Sequence, residues 1–120
     1  MCKDKDGFIW SSAKTGILRL TEDHCRMYQL PYKTADITFL RLACQASGLI
    51  AYTNNGQIFA YNPLYDRFDF LTDLRERLKN NYLTLSNIVT DPSGALWIGS
   101  SEGLYQYKDG RLAPVGGLRY

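Results

Sequence analysis

The sequence has few residues of the kinds that build metal sites and disulfide networks. Its 120 residues include three cysteines, Cys2, Cys25 and Cys44, and a single histidine, His24. A structural zinc site needs closely spaced pairs of ligands, and no Cys-x-x-Cys pair occurs. We therefore expect neither a metal nor a cofactor. The odd number of cysteines argues against complete pairing in disulfides and leaves the redox state of the three thiols open.

Long apolar runs and a marked excess of one charge are also missing. No segment approaches the roughly 18 apolar residues of a membrane-spanning helix, and no signal-peptide pattern is visible at the start. The 14 basic and 12 acidic residues give a formal net charge of +2, which is too balanced to indicate a nucleic-acid partner. With 45% hydrophobic, 13% aromatic and 22% charged residues, the chain is typical of at most one ordinary folded domain.

The sequence does contain a hairpin pattern in which turn residues closely flank short strands. In DPSGALWIGSSEGLYQY, residues 91–107, Asp91 and Gly94 have the chemistry of a type I turn. The Asp side chain can accept a backbone N–H two residues on, and glycine takes a positive φ without steric cost. An apolar strand centred on Trp97 follows, and a second turn ends at Gly103. The strand after that turn alternates its side chains with a period of two, which predicts two different faces.

The same layout occurs twice more along the chain. Residues 4–20 (DKDGFIWSSAKTGILRL) repeat the marked positions 87 residues earlier, at Asp4, Gly7, Trp10 and Gly16. Residues 45–61 (QASGLIAYTNNGQIFAY) form a weaker copy that keeps Gly48 and Gly56 but has Ala51 at the tryptophan position. The sequence is therefore a repeat with a period of 41 to 46 residues.

Each period holds four predicted strands, which in the last copy are 86–90, 95–100, 104–107 and 112–115. Four antiparallel strands in about 40 to 45 residues make one blade of a β-propeller. We therefore predict an all-β fold of about two and three-quarter four-stranded blades, which is an incomplete propeller. The expected divisions are a partial blade over 1–33, a second blade over 34–79 and a third over 80–120.

One segment has helical rather than strand periodicity. In residues 71–81 (LTDLRERLKNN), Leu71, Leu74 and Leu78 recur at helical spacing, and Thr72 or Asp73 can cap the start. We predict one short helix near 72–79. It is either a flap that binds a partner or, as we favour, an inserted turn whose leucines pack on the edge of a blade.

The tryptophan of the second strand, Trp10 or Trp97, is interpreted as packing between blades. A Trp side chain buries a large apolar area, and stacked sheets need such fillers. The alternative is a ring that stacks on a sugar.

The repeat pattern Asp-x-x-Gly-x-[Ile/Leu]-Trp, followed by a glycine and a leucine, resembles the two-component regulator propeller repeat. Residues 91–107 fit it throughout. Residues 4–20 fit with Ser11 where an aliphatic residue is usual, and residues 45–61 fit in their glycines and alternation. Together the copies cover essentially the whole chain.

The resemblance implies a function as well as a fold. In that family, tandem repeats build large propellers in the extracytoplasmic half of membrane-bound hybrid histidine kinases. It implies a periplasmic location, the sensing of glycan fragments and a dimeric receptor. The chain itself would be a non-enzymatic segment of that sensor.

Loops between the second and third strands and loops between blades lie on one face of a propeller, and we expect a ligand to bind there. Amides, hydroxyls and a tyrosine suit the hydroxyl groups of a sugar, although the same residue types are common in ordinary turns. The candidate residues are Lys14, Thr15, Tyr32, Lys33, Asn54, Asn55, Asn80, Asn81, Tyr82, Ser100, Ser101 and Glu102.

Three blades are fewer than the roughly four to eight that close a propeller. We therefore expect the chain to be part of a longer propeller, with the remaining blades as partners. We also expect self-association through the open blade faces, because uncovered sheet faces favour association.

Two other functions stay open. A propeller lyase or hydrolase would need a positioned acid and base, and the sequence offers only His24, in a polar run typical of a turn. A protein-interaction scaffold would use the same fold without a small ligand.

Overall fold

The computed structural model describes residues 2–4, 6–12, 16–29, 40–45 and 48–115, which form three sheets and one short helix. Each sheet has four antiparallel strands in chain order, as expected for a propeller blade. Blade 1 is β1 (Cys2–Lys3), β2 (Ile9–Ser12), β3 (Ile17–Leu20) and β4 (Cys25–Tyr28). Blade 2 is β5 (Leu40–Gln45), β6 (Gly48–Thr53), β7 (Gln57–Asn62) and β8 (Arg67–Asp73). Blade 3 is β9 (Leu85–Thr90), β10 (Leu96–Ser100), β11 (Gly103–Lys108) and β12 (Arg111–Pro114).

The predicted all-β fold of four-stranded blades is confirmed. The helix α1 (Leu74–Arg77) directly follows β8 and is shorter than the predicted helix near 72–79. Its cap is Asp73, whose side chain accepts hydrogen bonds from the backbone N–H groups of Arg75 and Glu76. Leu74 is fully buried, so the helix packs its apolar side on the blade, as the favoured interpretation predicts.

Blades 1 and 3 share one register throughout. Cys2 pairs with Trp10, and Val89 pairs with Trp97, so both partners are shifted by the same 87 residues. The outer hairpins agree as well, because the pair Leu20 and Cys25 corresponds to Tyr107 and Leu112 in the same way. The repeat seen in the sequence therefore extends over all four strands of the blade.

Blade 2 departs from that register at its first hairpin. Only two residues separate Gln45 from its strand partner Gly48, whereas five separate Thr90 from Leu96. Because side chains alternate between faces, shortening the turn by an odd number of residues, here three, moves the next strand's side chains to the opposite face. Ile50, which packs toward blade 3, takes the tryptophan's face, and Ala51 packs toward blade 1. The placement of Ala51 at the tryptophan position is therefore wrong.

Two apolar cores lie between the blades. The first core joins blades 1 and 2, and Trp10, which is 1% exposed, lies in it. Its ring centroid is 4.9 Å from that of Tyr61 and 5.8 Å from that of Phe68, both in blade 2. The second core joins blades 2 and 3, and its fully buried members include Ile58, Leu74, Leu83 and Ile98.

The two tryptophans have different environments. Trp10 packs between blades as predicted, whereas Trp97 is half-buried and belongs to neither core. Trp97 lies on the side of blade 3 that faces away from blade 2, since its neighbours Leu96 and Ile98 point into the second core. The packing prediction thus holds within this chain for Trp10 alone.

A disulfide between Cys2 and Cys44 links the first strands of blades 1 and 2, with the two Cα atoms 5.9 Å apart. Cys25 is a free, exposed cysteine. The disulfide therefore links blades 1 and 2 covalently and leaves Cys25 as a free thiol. Among the described residues, no helix has the length and apolar character needed to cross a membrane.

Candidate ligand-binding face

Eight of the twelve residues predicted to line a ligand face lie in the described part of the chain. Four fall outside it, namely Lys14, Thr15, Tyr32 and Lys33. The other eight are in three segments at one end of the strands: the turn between β6 and β7, the connection from α1 to β9, and the last residue of β10 with the turn that follows it. We call these three segments the loop face.

Hydrogen bonds tie the three segments of the loop face to one another. The backbone N–H of Leu85 donates to the carbonyl of Asn54 at 3.0 Å, which joins the first segment to the second. The Nδ2 of Asn80 donates to Oε1 of Glu102 at 3.2 Å. Ser101 donates its backbone N–H to the Thr84 carbonyl at 2.9 Å, and its Oγ accepts the Thr84 N–H at 3.1 Å. The predicted loops of blades 2 and 3 therefore lie together.

Tyr82 projects from this face and is 89% exposed. The loop that carries it is well fixed, because the Oδ1 of Asn80 accepts the Tyr82 N–H at 3.0 Å. Immediately after it, Leu83 is fully buried and its carbonyl accepts a hydrogen bond from Nε of Arg75 at 2.6 Å. An aromatic ring is thus held out into solvent by an anchored loop.

Glu102 provides the carboxylate beside this tyrosine loop. Its own backbone N–H donates to Oγ of Ser100 at 3.2 Å, and that hydroxyl donates to the Gly103 carbonyl at 2.8 Å. Gly103 has a φ of +117°, which other residues adopt only with strain. The turn therefore fixes the position of an exposed acid that Asn80 already contacts.

Several predicted residues serve the turns themselves. Asn55 is hydrogen bonded through its Oδ1 to Oγ1 of Thr53, which is buried. Ser100 and Ser101 use their hydroxyls within or between turns. Asn81 is exposed next to Tyr82. Tyr82 and Glu102 are exposed, and the half-buried Asn80 hydrogen bonds to the backbone of the first and to the carboxylate of the second.

A second polar cluster, which the sequence did not suggest, clamps blades 1 and 2 at the other end of the strands. Tyr28 and Tyr61 each donate a hydrogen bond at 2.6 Å to Oδ1 of Asp66, in the turn between β7 and β8. Arg26 forms an ion pair with Oδ2 at 3.2 Å, and Arg19 one with Oδ1 at 3.6 Å. The two arginines pair across β3 and β4, a relationship that only the structure shows.

The pKa shifts of Asp66 and the two tyrosines favour the protonation states that keep this cluster bonded. The hydrogen bonds from Tyr28 and Tyr61 hold the pKa of Asp66 below its usual range, and the arginines act in the same direction. Burial, followed by the hydrogen bond to Asp66, raises the pKa of each tyrosine. The carboxylate therefore stays charged and both phenols stay protonated at neutral pH.

The described residues offer few side chains that could catalyse a reaction or bind a metal ion. The described residues contain no group of three or more His, Cys, Asp and Glu side chains that could hold a metal ion. His24 is exposed in the turn between β3 and β4, where its backbone N–H donates to Oγ1 of Thr21 at 3.2 Å. The absence of a catalytic residue stays a prediction.

Comparison with known proteins finds similar solved structures but no similar sequence family. No profile of a known protein family matches the sequence, and no curated protein is similar to it. A structure of the extracellular domain of the proposed hybrid two-component system BT4673 from B. thetaiotaomicron is similar, with a TM-score of 0.71 and 18% identity. The superposition covers 94% of this chain and 15% of the BT4673 chain.

A second structure of that extracellular domain, described as belonging to a proposed one-component system, has a TM-score of 0.67 and 17% identity over 95% of this chain. The chain spans 15% of the length of each of these structures. At this identity the comparison shows a shared fold: three successive blades of this chain superpose on part of a much larger domain.

Proposed function

We propose that the chain is a non-enzymatic, ligand-sensing segment of a periplasmic receptor propeller that acts in two-component signalling. In this proposal it works with further blades of a longer propeller, and the ligand is a glycan fragment. The observation that carries it is the loop face, where Tyr82 is presented to solvent beside Asn80 and Glu102.

The chemistry of this group suits an oligosaccharide. A tyrosine ring offers an apolar surface with a polar tip, which matches the alternating apolar and hydroxyl faces of a sugar ring. The Glu102 carboxylate supplies directional hydrogen bonds beside the ring, and the Asn80 amide fixes its position by bonding to Glu102 and to the Tyr82 N–H. Because the loops are already fixed by internal hydrogen bonds, little ordering entropy is lost on binding.

The periplasmic location has independent support. The Cys2–Cys44 disulfide is of a kind that persists in oxidising compartments and is rare where thiols are kept reduced. The similar solved structures are extracellular domains.

Calorimetric titration with a panel of xylo-, manno-, gluco- and galacto-oligosaccharides tests the ligand. We expect at least one class to bind, and Tyr82→Ala to weaken that binding by about tenfold or more, since a projecting aromatic is typical of a binding hot spot. Tyr65→Ala is the matched control, because Tyr65 is also exposed but lies in the turn between β7 and β8. Binding that survives Tyr82→Ala, or that Tyr65→Ala removes, would contradict the proposal.

A protein-interaction scaffold is the second candidate, and one feature favours it. The turn between β7 and β8 presents Leu64, 80% exposed, next to Tyr65, and Asn62 holds that turn by accepting both N–H groups. An exposed apolar tip on a fixed turn suits a protein partner. Capture of a protein that Leu64→Glu abolishes, without any oligosaccharide binding, would support this function over the first.

A further inference from the structure

The two ends of the blade stack each present a sheet face that contacts no other described element. The trailing face is the side of blade 3 away from blade 2, and it carries Val89, Trp97, Leu104 and Gln106. The leading face is the side of blade 1 away from blade 2, and it carries Ile9, Leu18, Leu20 and Met27. Val89 is 50% exposed and Met27 is 51% exposed, so both faces are open apolar surfaces.

The trailing face is a copy of a surface that is buried elsewhere in the chain. Val89, Trp97 and Leu104 lie 87 residues after Cys2, Trp10 and Ile17, in the same strand register. The three earlier residues all belong to the first core, where blade 1 packs on blade 2. The trailing face therefore has the form of a surface that covers the next blade.

The leading face is a copy of the opposite surface. Ile9, Leu18 and Leu20 correspond to Leu96, Tyr105 and Tyr107 at the same 87-residue spacing. Those three residues of blade 3 pack in the second core against blade 2. The leading face therefore has the form of a surface that receives the preceding blade.

We propose that two copies of the 120-residue chain by itself associate head to tail, the trailing face of each on the leading face of the other. A second copy then occupies the two faces that further blades cover in the longer propeller of the proposed function. Two such contacts related by a twofold axis join three blades to three and close a ring of about six blades, within the range of closed propellers. Both open faces of each copy are then covered by the kind of surface that covers their counterparts within the chain.

Charge at the edges of the two faces favours this pairing. Lys108 and Arg111 line a concavity of about 550 Å³ on the trailing face together with Gln106, Ala113 and one acid, Asp109, so the lining carries a net positive charge. Exposed Glu22 and Asp23 lie in the turn between β3 and β4, at the rim of the leading face.

The clamp at Asp66 shows the same arrangement within the chain. There, arginines of blade 1 engage the acid in the outer turn of blade 2. In the pair of copies, the register equivalents of those arginines are Gln106 and Ala113, and the basic pair Lys108 and Arg111 lies two residues nearer the end of the hairpin. This basic pair would face the partner's acidic turn, which takes the place of the Asp66 turn. Added salt should therefore weaken the pair.

Light scattering of the 120-residue chain over a concentration series tests the association. We expect a limiting mass of about 27 kDa, twice the chain mass of 13.7 kDa. Cys25 gives a second readout, because it is the free thiol and is paired with Leu20 on the leading face. Maleimide labelling should slow about fivefold at a concentration ten times the dissociation constant, where mass action leaves a fifth of the chains unpaired.

Two charge-introducing variants test the head-to-tail geometry. Met27→Glu alters the leading face and Val89→Glu the trailing face, and each residue is half-exposed, so folding should be retained. Each variant alone should be a monomer, whereas Leu64→Glu, away from both faces, should still pair. Because an equimolar mixture of the first two variants retains one intact pair of faces, it should form a dimer that neither forms alone.

Each result also defines a failure. A wild-type chain that stays monomeric at near-millimolar concentration, with Cys25 labelled at a constant rate, would overturn the proposal. A dimer that only one of the two variants disrupts would also overturn it, since that result indicates like faces pairing with like. A mixture that stays monomeric would do the same.

Discussion

The indole Nε1 of Trp97 donates a hydrogen bond to Oδ2 of Asp91 at 2.9 Å, and Trp10 makes the same bond to Asp4 at 2.7 Å. The other oxygen of Asp91 accepts the N–H groups of Ser93 and Ala95, at 2.9 and 3.0 Å. One carboxylate therefore closes the turn and orients the ring six residues later. This double use explains why Asp and Trp occur together in both strong copies of the repeat.

Truncation of the two tryptophans should have unequal effects. Trp10→Ala removes a ring that is almost fully buried between two blades, so we expect a loss of about 3 to 5 kcal/mol in the free energy of unfolding. Trp97→Ala removes a half-exposed ring and should cost clearly less when the chain is monomeric. Urea unfolding of both variants at low protein concentration measures the difference. Equal losses would show that Trp97 is as well packed as Trp10.

Acid should destabilise the chain through its turn and clamp carboxylates. Hydrogen bonds from Ser93 and Trp97 lower the pKa of Asp91 to about 2, and the pKa of Asp66 is also lowered. A carboxylate with a lowered folded-state pKa contributes stability above its unfolded-state pKa, near about 4, and loses it as the pH falls toward the folded value. The midpoint of thermal unfolding should therefore drop between about pH 4 and 2. Asp91→Asn should flatten that drop, and an unchanged profile would contradict the assignment.

The Cys2–Cys44 bridge should contribute strongly to stability. It joins residues 42 positions apart, and the chain-entropy estimate for a loop of that size is about 4 kcal/mol. The double variant Cys2→Ser, Cys44→Ser should lower the free energy of unfolding by about 2 to 4 kcal/mol. Cys25→Ser is the matched control and should change little. Mass spectrometry of the alkylated native chain should find a single labelled cysteine, and three labelled cysteines would exclude the bridge.

The clamp at Asp66 should show energetic coupling between its two tyrosines. Tyr28→Phe and Tyr61→Phe each remove one hydrogen bond to the same carboxylate oxygen. Because Asp66 is partly exposed to solvent, we expect about 1.5 kcal/mol for each loss, at the lower end for bonds to a charged group. The double variant should differ from the sum of the single variants. Strict additivity would indicate that the tyrosines act independently.

Local chemistry made the blade architecture predictable. The Asp and Gly of each turn, the alternation of the strands and the 87-residue offset depend on neighbours within one hairpin, and all of them could be found in the sequence. The short helix could also be predicted, because Asp73 and three spaced leucines lie within one segment.

Contacts between blades could not be predicted in the same way. Trp10 and Trp97 have nearly the same sequence neighbourhood, and their burial differs because only one has a neighbouring blade within the described chain. The first turn of blade 2 is shorter by three residues between strand partners, and that change reversed the expected face of Ala51. The Cys2–Cys44 bridge and the cluster around Asp66 join distant parts of the sequence, so no local pattern marks them.

The loop face could be predicted from the sequence only in part. Turn composition identified its residues, but only the structure shows that Tyr82 and Glu102 are exposed while Asn80, Asn55 and Ser100 hold the turns by hydrogen bonds. Residue type alone could not separate the two roles, because amides and hydroxyls are used for both.

A nuclear magnetic resonance titration of the ¹⁵N-labelled chain with the oligosaccharide panel tests the proposed ligand face most directly. We expect the largest chemical-shift changes at the backbone amides of Asn80, Tyr82 and Glu102, with little change at the Asp66 clamp. Changes centred on the turn between β7 and β8, or no change with any oligosaccharide, would contradict the assignment of the loop face as the binding site.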